Sequence, residues 1–502
     1  MTSLLRFIKY MLFLPLCSLQ YFSLAQSQAQ TAGTAALIDG IEFLKKDAGL
    51  KHAAWGVCVQ VASDGKTLAE YNSDMSLMPA STMKVATTAA ALSLLGSDFT
   101  FETKIEYSGT IDSAGVLHGD LFITGGGDPT IGSKRFGDAC MIDSVFGSFY
   151  TAMKAANINA VDGRLVCDAS IFDYEPAVPE WSWEDIGNYY AAGACGLNIN
   201  ENYYRVYFNA GKYIGDSASV SRMEPEMPGL EFHNFVTTAK AGSGDNVIIY
   251  GSPFTTLRIL DGTVPLGKKD FDVDGAIPDP PQYFIERFHT YLSGKGIKIS
   301  KGLMNVRNET WKGNTDTNAR KTLKIIKSPS LEKIVRFTNL NSINVFAECM
   351  VKMIGLKKGG EGSTTEGVSQ ITNFWKGKGI DIDGFDMKDG CGLARKNKVT
   401  CKQFCAMLRV IKKDKIFDAF EKSLPEAGKS GGIAGLFKGS VAENNLKAKT
   451  GTMNGIRAYT GYVKNKAGTE LVFSIMVNNY TCSAYEMKQK LEDLMILIAQ
   501  TD

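Results

Sequence analysis

The fold is decided by three short strings: Ser81-Thr82-Met83-Lys84, Ser342-Ile343-Asn344 and Lys449-Thr450-Gly451-Thr452. They follow the patterns SxxK, SxN and KTG, in that order along the chain. SxxK or SxN alone occurs by chance in many chains of this length. All three in this order predict an acyl-transfer enzyme whose nucleophile is a serine and whose general base is a lysine.

The first string begins a predicted helix. Residues 83–95 are apolar nearly all round, which is typical of a helix buried in the middle of a domain, and Gly96 ends it. Ser81 then lies at a helix N-terminus, where free N–H groups and the helix dipole favour developing negative charge. Lys84 follows one turn later on the same face. Burial should lower the pKa of Lys84 from its usual value of about 10.4, so that the amine can act as a base.

The second string leads into an amphipathic helix predicted over residues 345–354. On its own, Ser342 is most simply explained as an N-cap residue of that helix. In a catalytic site, the Ser342 hydroxyl would relay a proton to the leaving amine. Asn344 would hold the substrate amide and orient Lys84.

The third string opens a predicted strand, and a β-hairpin pattern follows it. Lys449 would supply positive charge for a substrate carboxylate, and Thr450 and Thr452 would offer hydroxyl groups. Gly451 would let a ligand approach the strand backbone closely. The N–H of Thr452 would pair with the N–H of Ser81 as an oxyanion hole.

The composition excludes several other classes of protein. The chain has 502 residues, 44% of them hydrophobic and 22% charged, which is globular and long enough for two or three domains. A formal net charge of +2 without a basic run argues against nucleic-acid binding. The four histidines are not spaced as metal ligands, and Cys401 and Cys405, on one face of a predicted helix, are best explained as small buried residues. We therefore expect no metal and no cofactor.

The N-terminus has the pattern of a secretory signal peptide over residues 1–25. Arg6 and Lys9 precede a mostly apolar stretch over residues 10–24, and small-residue cleavage positions follow. The alternative is an uncleaved membrane anchor, although the apolar stretch is short and interrupted for a span. We expect an exported protein, most simply a periplasmic one, that is soluble or loosely associated with the membrane.

Four further stretches accompany the three strings. They are Gly125-Gly126-Gly127-Asp128-Pro129-Thr130, Leu197-Asn198-Ile199-Asn200-Glu201-Asn202, Asp389-Gly390-Cys391-Gly392-Leu393-Ala394-Arg395 and Ser423-Leu424-Pro425-Glu426-Ala427-Gly428. With these stretches, the chain resembles the class C low-molecular-mass penicillin-binding proteins, which form the serine D-alanyl-D-alanine carboxypeptidase/endopeptidase family. It departs from that family at Cys391 and Ala394, where serines are usual, and this puts in doubt the hydrogen bonding of their loop.

The resemblance implies an α/β (α+β) fold: a penicillin-binding/β-lactamase-like transpeptidase domain, with an antiparallel sheet flanked by helices, and two inserted strand-rich domains. The interval between Ser81 and Ser342 is much longer than in class A β-lactamases, as two insertions require. We place the catalytic domain at residues 30–103 and 309–502, inserted domain II at 104–130 and 196–308, and inserted domain III at 131–195. Within the insertions, we predict strands over 101–107, 116–124 and 160–167 and a helix over 141–156.

The resemblance also implies an activity and a site. The expected substrate is a peptidoglycan stem peptide, which acylates Ser81 in a carboxypeptidase or endopeptidase reaction, and β-lactams would be covalent inhibitors. The expected catalytic residues are Ser81, Lys84, Ser342, Asn344 and Lys449, and the expected substrate-binding residues are Thr450, Gly451, Thr452 and Arg395. For Arg395, a surface ion pair is as good an explanation as contact with a diaminopimelate carboxylate. A β-lactamase, or an inactive cell-wall binding protein of the same fold, remains an alternative, and the oligomeric state stays open.

Overall fold

The structure is a computed structural model and describes residues 32–313 and 319–502. The predicted signal peptide lies outside the described residues. Within the described part of the chain, every helix is too short or too polar to cross a bilayer.

The central sheet joins the two ends of the described chain. Strand Ala54–Val61 pairs along its whole length with Glu470–Asn478, so that the strands nearest the two termini lie side by side. All neighbours in this sheet are antiparallel. The strand order is Lys447–Met453, Ile456–Lys464, Glu470–Asn478, Ala54–Val61 and Thr67–Tyr71.

Alternate residues of the central sheet face two different layers of helices, because side chains alternate along a strand. Val57 and Val59 share one hydrophobic core with the helix over residues 32–45 and with helix Ala484–Gln500. Cys58 belongs to the opposite core. The sheet is therefore the middle layer of an α/β/α arrangement, which matches the expected fold class.

The opposite core is built around the helix Lys84–Leu95, called the buried helix below. Every residue from Lys84 to Leu92 is buried, as the apolar sequence predicted. The α-helix begins at Lys84 rather than at Ser81, because Ala80–Met83 forms a 3₁₀ turn, called the serine turn below. Gly96 ends the helix and donates to Leu92 O. The helices packed in the same half of the molecule are Leu331–Asn341, Asn344–Ile354, Thr364–Gly377, Cys401–Lys412 and Phe417–Ser423.

Two predictions for this half of the molecule are confirmed, one of them with a different helix end. The helix predicted over residues 345–354 is confirmed as Asn344–Ile354, but it continues as a π-helical turn, Gly355–Gly359. Cys401 and Cys405 are confirmed as buried residues on one helix. The described cysteines are all free thiols.

The region between the buried helix and Ser342 holds four further sheets. The largest has the strand order Leu303–Asn305, Leu165–Asp168, Leu121–Thr124, Glu102–Tyr107 and Lys321–Lys327. The other strands are Thr110–Ile111, Val116–His118, Ala160–Val161, Tyr203–Asn209, Ser219–Glu224, Glu231–Asn234, Thr237–Ala239, Asn246–Tyr250, Leu257–Pro265, Phe271–Ala276 and Lys298–Ile299. The helices and short helical turns are Asp138–Cys140, Ile142–Ala155, Trp183–Ile186, Tyr189–Ala191, Asn200–Asn202, Pro280–Gly294 and Val306–Trp311, with Gly431–Ile433 later in the chain.

Two stretches in this region that were each predicted to form one strand form two short strands instead. The stretch 116–124 is broken after His118, and the stretch 160–167 is broken after Val161, and the two halves of each belong to different sheets. Two glycines pack against each other at the breaks, since a Cβ on Gly163 would lie 1.9 Å from Gly119 O. A turn between sheets therefore replaces a continuous strand.

The domain boundaries stay a prediction. One pairing is relevant to them: Lys321–Lys327 lies antiparallel to Glu102–Tyr107 at the edge of the second five-stranded sheet. These strands lie at the two ends of the region between the buried helix and Ser342, so the chain leaves and re-enters the half built around the buried helix through neighbouring strands of one sheet.

The Gly125-Gly126-Gly127 run forms a close-packed turn. A Cβ on Gly125 would lie 2.2 Å from Gly196 O, and one on Gly126 would lie 1.8 Å from Glu102 O, so only glycine fits. Asp128 follows, is buried, and accepts hydrogen bonds from the N–H and the hydroxyl of Thr130. Burial raises the pKa of Asp128 to about 6 in spite of these two donors.

The raised pKa of Asp128 predicts a pH-dependent stability. In the unfolded chain the carboxyl ionises near pH 3.9, but in the folded chain it ionises only near 6. Wild type should therefore lose up to about 3 kcal/mol of unfolding free energy, relative to Asp128→Asn, as the pH rises from 4 to 7. Denaturant unfolding of both proteins across this range measures the difference. The exposed Asp98→Asn is the matched control, and a difference independent of pH would contradict the prediction.

Candidate active site

The three strings meet at one cleft. The cleft has a volume of about 660 Å³, and Ser81, Ser342, Asn344 and Thr452 are among the residues in its wall. They come from the serine turn, from the junction of two helices and from the edge strand of the central sheet. Tertiary folding thus brings together residues that are far apart in the sequence.

Lys84 lies behind Ser81 and is completely buried. Its Nζ lies 3.1 Å from Ser81 Oγ and donates to Asn344 Oδ1 at 2.6 Å and to Cys391 O at 2.8 Å. Burial lowers the pKa of Lys84, and the nearby side chains of Cys391, Asp389 and Glu348 partly oppose this. The arrangement provides what a lysine base needs: contact with the nucleophile and a weakened hold on its proton.

Ser342 is not the N-cap residue that its position in the sequence suggests. It follows helix Leu331–Asn341 at the C-cap position with left-handed backbone angles, φ 58° and ψ 39°. Ile343 occupies the N-cap position of the next helix. The Ser342 hydroxyl accepts a hydrogen bond from Lys449 Nζ at 3.0 Å. The sharp left-handed turn therefore places this hydroxyl in the cleft wall, beside a lysine.

The side chain of Asn344 forms hydrogen bonds with both Lys84 and the backbone of Tyr190. Its Oδ1 accepts from Lys84, and its Nδ2 donates to Tyr190 O at 2.6 Å. Both ends of the amide are thus held by protein groups. The sequence identified Asn344 as a residue that orients Lys84, but it carried no signal for Tyr190, because only a backbone carbonyl makes the contact.

Lys449 is also buried, with 1% of its surface exposed. Its Nζ donates to Ser342 Oγ and to Thr450 O at 2.8 Å. Burial, and then the charge of Lys84, lower the pKa of Lys449 well below its usual range. A positive charge on either amino group therefore disfavours protonation of the other. Lys84 lies beside Ser81, and Lys449 lies beside Ser342.

Gly451 makes room for residues 79–80, whereas the sequence predicted that it makes room for a ligand. A Cβ at this position would lie 2.5 Å from Pro79 O and 3.2 Å from the Cβ of Ala80. The glycine therefore lets the strand lie directly against the serine turn. Thr450 points away, towards Gly432, whereas Thr452 lines the cleft and accepts a hydrogen bond from Arg457 at 2.9 Å.

Arg395 lies in the wall of the same cleft and is engaged in an ion pair. Its guanidinium donates to Ser182 Oγ at 3.2 Å and to Glu184 Oε1 at 3.1 Å. The Arg395 side chain is 41% exposed. Both charges of this pair are accessible from the cleft, which could accommodate a ligand group that carries charges of both signs.

Asp389 organises the loop that holds Cys391. Its carboxylate accepts four hydrogen bonds, from the backbone N–H groups of Gly392 and Ala394 and from the side chains of Asn397 and Trp181. These bonds fix the loop from which the Cys391 carbonyl reaches Lys84. The sequence pattern 389–395 included this aspartate, but nothing in it indicated its partners.

One cluster of side chains in the described part of the chain has the composition of a metal site. Ligand atoms of Glu348, Asp389 and Cys391 lie within 4.8 Å of one another, and all three residues are buried. However, both oxygens of Asp389 already accept two hydrogen bonds each, and the amino group of Lys84 lies next to the cluster. The residues fit hydrogen bonding within the protein better than they fit a cation.

Comparison with known proteins connects this cleft to a family. The sequence profile of the D-Ala-D-Ala carboxypeptidase 3 (S13) family matches residues 38–501. A D-alanyl-D-alanine carboxypeptidase of Actinomadura sp. (strain R39) is 28% identical over 473 residues, which cover 91% of this chain and 84% of that protein. The D-alanyl-D-alanine carboxypeptidase DacB of Haemophilus influenzae is 23% identical over 447 residues, 87% of each chain.

Solved structures agree on the fold. The crystal structure of penicillin binding protein 4 (dacB) from Haemophilus influenzae has a TM-score of 0.77 at 22% identity, and covers 93% of this chain and 99% of that one. A second structure of that protein, complexed with a β-lactam, has a TM-score of 0.71 at 21% identity, over 88% and 95% of the two chains.

The contact at Gly451 predicts the effect of the smallest substitution. Gly451→Ala should destabilise the protein by about 1–3 kcal/mol, because the added methyl group must push the serine turn away from the strand. Chemical denaturation measures this loss. Gly435→Ala, where a Cβ would meet open space, is the matched control. Equal stability of the two variants would show that the turn accommodates the methyl group without cost.

Proposed function

Because the chain belongs to the D-Ala-D-Ala carboxypeptidase 3 (S13) family of serine peptidases, we propose that Ser81 attacks the penultimate D-Ala carbonyl of peptidoglycan stem peptides with Lys84 as the general base. The observation that carries this proposal is the completely buried Lys84, whose Nζ lies 3.1 Å from Ser81 Oγ. A base must lie within hydrogen-bond reach of the proton it takes and must be unprotonated to take it. Burial lowers the pKa of Lys84 and so favours the unprotonated amine.

Acylation begins with proton transfer from Ser81 to Lys84. The serine oxygen forms a bond to the carbonyl carbon, and the carbonyl oxygen becomes an oxyanion between the N–H groups of Ser81 and Thr452. The new charge of Lys84 is shared with Asn344 Oδ1 and Cys391 O. Donors fixed in advance around a developing oxyanion are among the largest contributions to catalysis.

Collapse of the intermediate requires a proton for the leaving nitrogen. As the C–N bond breaks, Ser342 gives its hydroxyl proton to that nitrogen and receives in its place the proton that Lys84 took from Ser81, so that Lys84 is neutral again for the water step. Lys449, 3.0 Å from Ser342 Oγ, holds this hydroxyl in place. The terminal D-Ala carboxylate lies near Lys449 and Thr452. The carboxylate of the bound substrate would raise the pKa of Lys449, because a nearby negative charge favours the protonated form of a buried amine.

Water then cleaves the ester on Ser81 and completes a carboxypeptidase cycle. If the leaving nitrogen belongs to a cross-linked neighbouring peptide, the same steps constitute an endopeptidase reaction. The cleft has a volume of about 660 Å³, which is large enough for more than one residue of a peptide. β-Lactams would acylate the same serine, and a β-lactam complex is known for penicillin binding protein 4 of Haemophilus influenzae.

The proposed substrate lies outside the cytoplasmic membrane, which agrees with the signal-peptide pattern at the N-terminus. We propose that the enzyme is exported and works on the cell wall in the periplasm.

Removing the Ser81 hydroxyl tests the nucleophile. Ser81→Ala should no longer be labelled by a fluorescent penicillin, because the acyl-enzyme ester forms on this oxygen. Gel fluorescence of the purified protein measures the label. Ser63→Ala, an exposed serine in a turn outside the cleft, should be labelled like wild type. Labelling that survives in Ser81→Ala would overturn the assignment.

Arg395 is proposed to bind the side-chain carboxylate of a diaminopimelate residue in the stem peptide. Arg395→Ala should then lower kcat/KM for a diaminopimelyl peptide about fivefold more than for a lysyl peptide, equivalent to roughly 1 kcal/mol. Lys396→Ala, the exposed neighbour in the same loop, is the control. An equal effect on the two peptides would leave Arg395 with only its ion pair to Glu184.

A further inference from the structure

Helix Asn344–Ile354 contacts the Lys84 amino group by two routes. The first is a direct hydrogen bond, which Lys84 Nζ donates to Asn344 Oδ1 at 2.6 Å. The second starts one turn later, at Glu348, whose Oε1 accepts the Cys391 N–H at 2.7 Å, and the carbonyl of Cys391 in turn accepts from Lys84 at 2.8 Å. The backbone of a single residue, Cys391, therefore connects the carboxyl group of Glu348 to the general base.

Glu348 is an unusual residue for its position. It is 1% exposed, and its Oε2 has no hydrogen-bond partner among the described residues. Burial, and then the charge of Asp389, raise the pKa of Glu348 to about 7. An acid that is buried without full hydrogen bonding destabilises the fold. The proposed chemical steps do not use Glu348, so its burial beside Lys84 calls for another explanation.

The charge of Glu348 acts on Lys84 in a definite direction. An ionised carboxylate favours the protonated amine, and a neutral carboxyl group removes that support. In the acylation step Lys84 must first be neutral and then accept a proton. An ionised Glu348 therefore stabilises the cation that forms on Lys84, whereas a neutral Glu348 favours the neutral starting state. Because one residue joins the two groups, the charge of the carboxyl group and the protonation of the amine influence each other, and we call Glu348 and Lys84 the pair below.

We propose that Glu348 is a positioning residue for Lys84: it holds the Cys391 carbonyl against the amine, and its charge determines how tightly Lys84 keeps a proton. This inference rests on the proposed function of Lys84 as the general base. It extends that function to a residue that contacts neither the nucleophile nor the cleft.

The groups that face Glu348 come from several elements. Lys84 lies on the buried helix, with Lys449 beyond it, and Asp389 and the Cys391 thiol lie on the loop. Tyr190 and Glu201 belong to the two short turns that also pack on this helix. The buried residues of the helices packed behind, Leu331–Asn341 and Thr364–Gly377, do not titrate. The pH response of the pair thus depends mainly on Asp389 and Cys391.

Cys391 allows a change in the opposite direction. Its Sγ lies within 4.8 Å of the Glu348 carboxyl group, and a thiol is only a weak donor. In Cys391→Ser, the hydroxyl is a stronger donor and would favour the ionised form of Glu348. The two variants Glu348→Gln and Cys391→Ser therefore alter the charge of one carboxyl group in opposite senses.

The experiment measures the rate of acylation by a chromogenic β-lactam from pH 5 to 9, with the melting temperature as a check of folding. In Glu348→Gln, which keeps an acceptor for the Cys391 N–H, the midpoint of the acidic limb should move down by about half a pH unit or more, a roughly threefold gain in relative rate on the acidic side. In Cys391→Ser the midpoint should move up. The exposed Glu332→Gln should match wild type.

The outcomes separate this inference from the proposed function. Wild type that is acylated through Ser81, together with unchanged midpoints in both variants, would overturn the role of Glu348 and leave the function intact. A uniform loss of rate without a shift would also count against it, because that is the result of structural damage alone. If Glu348→Gln fails to fold, the direction of the shift in Cys391→Ser decides. Absence of acylation in wild type would instead reject the function itself.

Discussion

The buried amino group of Lys84 is the interaction on which the rest of the site depends. An ammonium without water needs an acceptor in every direction that its hydrogens point, since an unpaired buried donor is costly. Lys84 has three partners, Ser81 Oγ, Asn344 Oδ1 and Cys391 O, and they come from three separate stretches of chain. The serine turn, helix Asn344–Ile354 and the loop held by Asp389 must therefore all lie within hydrogen-bond distance of one atom.

Close backbone packing keeps those stretches in place. Ala80 and Ser342 both have left-handed backbone angles, which cost on the order of 1 kcal/mol each outside glycine. The serine turn is held between a strand and a loop at two glycines: a Cβ on Gly451 would meet Pro79 O, and one on Gly392 would lie 1.9 Å from Ala80 O. The surrounding packing therefore maintains a strained turn that carries Ser81, the proposed nucleophile.

Electrostatics follows from the same burial. Lys84 and Lys449 are both buried, and the charge of one disfavours the charge of the other. Asp389 and Glu348 act in the opposite sense on Lys84. The site thus balances two amines against two carboxyl groups in a volume without bulk water, where charges interact more strongly than in solution. This balance lowers the pKa of Lys84, as the proposed role of this lysine as a base requires.

The sequence by itself determined the strand of the third string and the hairpin after it, the buried helix, and the order of the three strings, because alternation, apolar composition and motif order are local properties of the chain. It could not determine the break after His118 or the backbone of Ser342, since both depend on contacts with distant segments. The sequence carried no indication of the contact of Glu348 either, because the loop that donates to this carboxyl group is more than forty residues away along the chain. Tertiary structure alone decided which groups surround Lys84, since the pKa of a buried amine depends on its neighbours in space.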